Sequence, residues 1–228
     1  MKHFVLAMSL LASLCSCISI NVGNGKSIHC KGPVVEKTME GLTDFNAIEV
    51  NGSSDLFFTQ ANEFSVVVKA NEEVFEYLKY SVEDGVLTIA TKNNVNLRAE
   101  KYEVYVTLPV VKAITVNGAA DVNQQGDYAA QEDLKVRVNG AGDLDFTSLA
   151  VPSLTCSLNG ASDMRVSGLD VEKLDITING AGDAVIAGKA ASANFSVNGA
   201  GDIDARNLAC ESYTAHKAGA ASIRVGKK

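Results

Sequence analysis

The chain has 228 residues, 46% of them hydrophobic, which is enough for a substantial core and excludes an intrinsically disordered chain. With 19 Gly, 3 Pro and no Trp, the composition suits stacked aliphatic side chains better than a Trp-lined sugar platform. The net charge is -7, from 27 acidic and 20 basic residues with no Lys/Arg cluster, so nucleic acid is excluded as a partner.

Residues 1–17, MKHFVLAMSLLASLCSC, read as a targeting segment. Lys2 and His3 form a short basic start, and Phe4 to Leu14 is an apolar run too short to span a bilayer. The segment ends in LCSC, which resembles the lipobox of bacterial lipoproteins, with Leu14 three before and Ser16 just before the acceptor, Cys17. Cys15 stands where a smaller residue is usual and is a second, poorer acceptor; plain cleavage and secretion is the alternative. Either route exports the chain, and lipidation at Cys17 places it at the outer membrane or cell surface, with the lipid as its only membrane contact.

Residues 18–40 read as a tether and lead-in. From 41 to about 110 the stretches FSVVVKA, LKYSV, GVLTIAT and YEVYVTL are strand-like, with one short helical candidate at Glu72–Leu78. FNAIEVNGSSDLFF (Phe45–Phe58) parallels VKAITVNGAADV (Val111–Val122), which argues for one continuous β unit with wider first coils over 41–110.

From 111 to 228 the chain repeats itself. The phrase Asn-Gly-small-small-Asp begins at Asn117, Asn139, Asn159, Asn179 and Asn198, with a degenerate copy at Ala218 and an early one at Asn51. Successive steps from Asn117 are 22, 20, 20, 19 and 20 residues, the signature of a repeat architecture. Before each Asn, apolar and polar residues alternate: Val136 and Val138, Cys156 and Leu158, Ile176 and Ile178, Phe195 and Val197. That is a strand with one buried face. A second short strand follows each phrase, led by Leu144, Met164, Ala184 and Ile203. No stretch has the helical periodicity of a crossover, so each coil lies on the one before and equivalent strands pair in parallel at ~4.8 Å.

The phrase itself is a structural device. Gly118, Gly140, Gly160, Gly180 and Gly199 supply positive φ, the small neighbours leave room for adjacent turns, and the Asn side chains form an amide ladder. The closing residues Asp121, Asp143, Asp163, Asp183 and Asp202 stack too closely to stand uncompensated. The expectation is that each carboxylate accepts backbone N–H groups of its own turn, with cations between coils as the other solution. Asp145–Arg165 and Asp204–Arg224 are expected as cross-coil ion pairs worth at most ~1 kcal/mol each. Lys217, Ala218 and Ser222 mark a terminal coil that faces water. Cys156 and Cys210 fall in apolar columns and, with Cys30, read as buried thiols rather than a disulfide or metal framework.

The combination of FNAIEVNGSSDLFFTQ, SVEDGVLTIAT (Ser81–Thr91), YEVYVTLPVVKAITVNGAAD (Tyr102–Asp121) and the Asn-Gly repeats resembles the head GIN domain family of auto-transporter adhesins. The resemblance covers about residues 40 to 225. It implies an all-β, right-handed parallel β-helix-like solenoid with ~20-residue coils and a less regular N-terminal half, distantly similar to pectin lyases but without their catalytic residues. It also implies an adhesive surface role. Trimeric assembly comes only by analogy, and a homo-oligomer stays open.

No Ser/His/Asp or Cys/His constellation can be assembled, because His3, His29 and His216 are the only histidines and each is isolated. The expectation is therefore no catalytic residue, no metal and no cofactor, and a glycan or protein partner that the sequence does not name. Two other readings stand beside it: a polysaccharide-lyase-like enzyme, and a calcium-stabilised solenoid suggested by GAGDLD and GAGDID, with the second Asp missing from GASDMR and GAGDAV.

Overall fold

A computed structural model of the chain describes residues 19–21, 26–92 and 95–226. The targeting segment and Cys17 lie outside them. Twenty strands are described, and the all-β solenoid expected from the repeat is what the chain forms, with about six coils of ~20 residues between 113 and 225.

The first nine strands are β1 (Ser19–Asn21), β2 (Lys26–Cys30), β3 (Val34–Thr38), β4 (Ala47–Gly52), β5 (Asp55–Gln60), β6 (Ser65–Asn71), β7 (Leu78–Glu83), β8 (Val86–Thr91) and β9 (Asn96–Ala99). Then come β10 (Tyr102–Leu108), β11 (Ala113–Ala119), β12 (Val122–Gln125), β13 (Tyr128–Ala129), β14 (Leu134–Ala141) and β15 (Leu144–Phe146). The long strands β16 (Leu149–Ala161), β17 (Met164–Gly180), β18 (Ala184–Gly199) and β19 (Asp202–Gly219) bend round the corners of the coil, and β20 (Ser222–Val225) closes the series.

Three parallel ladders run along the stack. In the first, Val116, Val138, Leu158, Ile178 and Val197 lie in register, as do Asn117, Asn139, Asn159, Asn179 and Asn198. The second joins Val122, Leu144, Met164, Ala184 and Ile203. The third joins Tyr128, Leu149, Leu169, Gly188 and Leu208. Alternation sends one side of every strand inward, so the columns merge into a continuous aliphatic core with Val116, Val138, Val197 and Ile203 all at 0% exposure. Aromatic rings fill the core where the early strands meet the repeats: Phe58 meets Tyr128 and Phe146 edge-on at 6.1 and 6.0 Å. The Tyr128 hydroxyl donates to the carbonyl of Val111 and accepts its N–H, tying down the longest corner of the repeat.

The early copy of the phrase belongs to the stack. β4 pairs in parallel with β11, with Asn51 opposite Asn117 and Gly52 opposite Gly118. The rest of the N-terminal half is built differently. β10 lies between β5, which is parallel to it, and β6, which is antiparallel; β3 adds antiparallel to β6. β7 and β8 form a hairpin over Asp84 and Gly85, both at positive φ (50° and 75°), the pattern of a type I′ turn. The helical candidate at Glu72–Leu78 is a 3-10 turn over Glu72–Glu76, after which the chain is already strand. Within the lead-in expected over 18–40, β2 pairs with β9 and β3 with β6, and Ile28 and Cys30 are buried in the core.

Candidate functional site

The line of Asn-Gly turns, the edge between the first two ladders, is where the repeated polar groups converge. Each Asn Nδ2 donates to the Oδ1 of the Asn one coil earlier: Asn139 to Asn117 at 2.8 Å, Asn159 to Asn139 at 3.0 Å, Asn179 to Asn159 at 2.8 Å and Asn198 to Asn179 at 2.9 Å. Asn117 continues the ladder to Asn51 at 2.9 Å and also donates to Glu49 at 3.0 Å. The expected amide ladder is present from Asn51 to Asn198, and Ala218 ends it.

The motif glycines are fixed by two separate demands. Gly118, Gly140, Gly160, Gly180 and Gly199 all have φ between 135° and 146°, where other residues are strained. A Cβ on Gly160 would also lie 2.0 Å from the carbonyl oxygen of Gly140. Stacked backbone leaves no space for it.

The Asp column differs from expectation in its donor. Each carboxylate accepts an N–H, but from the Asp of the next coil rather than from its own turn: Asp143 N–H to Asp121 at 2.8 Å, Asp183 to Asp163 at 2.8 Å and Asp202 to Asp183 at 2.8 Å, with Asp163 to Asp143 longer at 3.4 Å. Ser222 closes the column by donating to Asp202 at 2.9 Å. The reason is geometric: parallel stacking sets the equivalent N–H of the following coil over the carboxylate oxygen. The line continues past Asp121 to Asp55, and Asp55 is paired in register with Glu103.

Cations flank this line at both ends. Burial alone would raise the Glu103 carboxyl, but hydrogen bonds from Lys101 and Tyr105 outweigh it and hold it below its ordinary value. At the other end Arg224 lies 3.5 Å from Asp202. That corrects the expected Asp204–Arg224 pair: Asp204 is taken by Arg206 of its own coil, whose guanidinium bonds bring the carboxyl down to about 2. The Asp145–Arg165 pair forms at 4.0 Å between two exposed side chains. Beside the column runs an open groove of about 390 Å³, lined by Asp121, Asp143, Asp163 and Asp183 with Met164 and Arg165.

A larger groove, about 690 Å³, lies along the third ladder and is lined by Val171, Ala190, Leu208, Cys210 and Gly226 with Asp170 and Lys189 at its rim. The column Val151, Val171, Ala190, Cys210 is recognisable in the sequence as apolar, and the structure keeps it in register. What the repeat does not reveal is that the corner beside it stays open. Cys156 is fully buried in the first ladder, and burial pushes its thiol far up, so it is core filling rather than a nucleophile. Cys210 is half-buried, with its thiol 3.0 Å from the Ser212 carbonyl.

Among the described residues no group of three or more His, Cys, Asp or Glu side chains is arranged to hold a metal ion. His29 lies in β2, in the small sheet with β1 and β9, and His216 lies in β19, in the last coil. No helix among the described residues is long and apolar enough to cross a membrane.

The chain is a repeat-built parallel solenoid with a polar turn line along one edge. Residues 44–228 match the family described as "Putative auto-transporter adhesin, head GIN domain", and the chain belongs to that family. Among solved structures, a "putative adhesin" from Parabacteroides distasonis is 26% identical with a TM-score of 0.75, covering 87% of this chain and 84% of that one. A second "putative adhesin", from Parabacteroides merdae, is 24% identical with a TM-score of 0.78, covering 87% and 83%. A "putative lipid binding protein" from Parabacteroides distasonis shares the fold at 18% identity and a TM-score of 0.73, covering 88% and 100%. No curated protein matches the chain.

Proposed function

We propose that this chain is a non-catalytic surface adhesin, held to the outer membrane by a lipid on Cys17, that offers the outer faces of its solenoid to a glycan or protein partner. The observation that carries this reading is how the repeated phrase is used. Its Asn side chains and one carboxylate oxygen of each Asp bond between coils, so the phrase builds the scaffold, and the outer faces of the strands remain for recognition. On the first ladder those faces present aligned short polar groups, Thr155, Asp175 and Asn194 in one row and Ser157, Thr177 and Ser196 in the next. A rigid array of this kind loses little conformational entropy on binding. Family membership supports surface exposure.

Two measurements test the reading. Globomycin treatment or Cys17→Ala should leave unprocessed precursor or release the protein from the membrane fraction; unchanged processing and partitioning in both would remove the anchor. A glycan array and a screen against host-surface proteins, probed with the purified chain, should give a binder that Thr177→Lys weakens. Binding that survives a charge placed on every outer face of the stack would sink the adhesive role.

A further inference from the structure

Asn followed by Gly loses its side-chain amide more readily than other Asn pairs, because Gly has no side chain to shield its backbone nitrogen. Among the described residues the pair occurs six times, at Asn51, Asn117, Asn139, Asn159, Asn179 and Asn198. The bond chemistry is the same at all six, so a difference between them in the folded chain comes from how each is held. All six lie in strands. Extended backbone carries the Gly nitrogen away from the Asn side-chain carbon, so the turn must open locally before the two can meet.

Asn139, Asn159 and Asn179 are held on both sides. Each donates to the Asn of the coil before and accepts from the Asn of the coil after. Their glycines also pair in register with a glycine on each side. Asn198 accepts from no later amide, but Gly199 still lies between Gly180 and Gly219. Asn51 is held on one side only. Among the described residues its side chain makes a single hydrogen bond, accepted from Asn117 at 2.9 Å. β11 pairs with β4 as far as Gly52, whereas β8, on the other side, pairs only with Ala47–Val50. Opening residues 51 and 52 therefore breaks contacts with one coil instead of two. Gly52 and Ser53 are exposed, and nothing stands within 4 Å of where a Gly52 Cβ would be.

We propose that Asn51–Gly52 is the site at which the folded domain modifies itself, by succinimide formation and hydrolysis, ahead of every other described Asn-Gly pair. The inference stands apart from the adhesin reading. The Gly52 nitrogen attacks the Asn51 side-chain carbon to close the ring, and the Gly52 proton leaves with the Nδ2 group as ammonia. Water then cleaves one of the two ring C–N bonds. Cleavage at the side-chain carbon gives an aspartate; cleavage at the main-chain carbon gives an isoaspartate, with one methylene more in the main chain. The aspartate keeps an acceptor for Asn117 but sets a second carboxylate beside Glu49, which accepts from the same amide at 3.0 Å. The isoaspartate lengthens the chain just before β5, the strand that joins β12 of the repeats to β10.

Peptide mapping of the full chain during incubation at mildly alkaline pH measures each site, with fragmentation to place each event. Asn24, which carries the same pair outside the described residues, falls in a separate tryptic peptide because Lys26 and Lys31 lie between it and Asn51. In the native chain Asn51 should deamidate at least about tenfold faster than Asn139, Asn159 and Asn179, because it opens against fewer contacts. In guanidinium chloride the six should react at similar rates, since Gly follows each. Asn117→Ala removes the one bond to the Asn51 side chain and should raise the Asn51 rate severalfold while leaving Asn179 unchanged. Equal native rates at Asn51 and the interior pairs would overturn the proposal, as would faster reaction at Asn198. So would no reaction at Asn51 over the time that fully converts the denatured chain, or an Asn51 rate indifferent to Asn117→Ala.

Discussion

The same phrase is built into two regions of the molecule, and the reason for its glycine differs between them. In VNGSSD, Gly52 has a φ of 143° and nothing within 4 Å of where a Cβ would stand. In LNGASD, Gly160 has a similar φ of 135°, but a Cβ there would lie 2.0 Å from the Gly140 carbonyl oxygen. The strand before β4 is β8, which pairs with Ala47–Val50 and stops short of the turn. Positive φ is therefore a property of the turn itself, while the exclusion of any side chain is created by the coil behind it.

That contrast can be broken most directly at the glycines. Gly160→Ala should lower stability by about 3–5 kcal/mol, combining backbone strain with overpacking against a backbone that cannot move aside. Gly52→Ala should cost about 1–2 kcal/mol, from strain alone. Urea denaturation of both variants measures the difference, and equal losses would mean that stacking imposes no demand of its own.

The next effect in size lies in the amide ladder. Asn159→Ala removes two bonds, to Asn139 and from Asn179, and should cost about 1–2 kcal/mol. Asn198→Ala removes one, because Ala218 has no amide to donate, and should cost about half as much. Thermal melts of the two variants side by side test whether the ladder is additive.

Smaller again is the Asp column. Asp163→Ala leaves the Asp183 N–H without its acceptor and should cost about 1 kcal/mol, while Asp163→Asn keeps an acceptor oxygen and should cost less. Calcium at millimolar concentration, or EDTA, should move the melting temperature by no more than about 2 °C, since a ligand without a site on the native state adds no linkage energy. A large calcium-dependent rise, lost in Asp163→Asn, would make the column a metal site.

The smallest effect separates the early Asp from the regular ones by pH. Burial raises the Asp55 carboxyl above its ordinary value; the Asp121 N–H works against this, and the charges of Asp121 and Glu103 add to it. A carboxyl raised in the folded state is tolerated while neutral. The stability linked to it is fully present below the ordinary value of 3.8 and is lost as pH climbs through the raised value. Asp55→Asn should therefore melt higher than the parent at pH 7 and equally at pH 3. A lower melting temperature at pH 7 would assign Asp55 the same role as Asp163.

Legibility in the sequence follows the same division between regions. Where the chain repeats, alignment with itself fixes strand position, register and core column together, so Val138, Leu158 and Ile178 can be placed without coordinates. The match of Asn51 to Asn117 is legible for the same reason. Alternation does not encode strand direction, so nothing in FSVVVKA or YEVYVTL shows that β6 runs antiparallel to β10. One local signal was there to be used: Asp84-Gly85 between two alternating runs is a hairpin turn. Side-chain partners were less legible than register. The Asp column aligns correctly, yet its donor belongs to the next coil, and Asp204 turns to Arg206 two residues on rather than to Arg224 across the stack.

The two ladders also share a polarity. In both, the donor sits in the later coil and the acceptor in the earlier one, from Asn198 back to Asn51 and from Ser222 back to Asp55. The side-chain amides therefore add head to tail into a fixed dipole along the stack, positive toward the N-terminal end and negative toward the last coil. A charge of complementary sign stands at the positive end, where Glu49 accepts from the Asn117 amide at 3.0 Å. As at the N-terminus of a helix, an acid at the positive pole lowers the energy of the aligned array. Reversing Glu49 to Lys would set a like charge against that pole and should loosen the first rungs before the last, a gradient that hydrogen exchange of the Asn side-chain amides would register rung by rung.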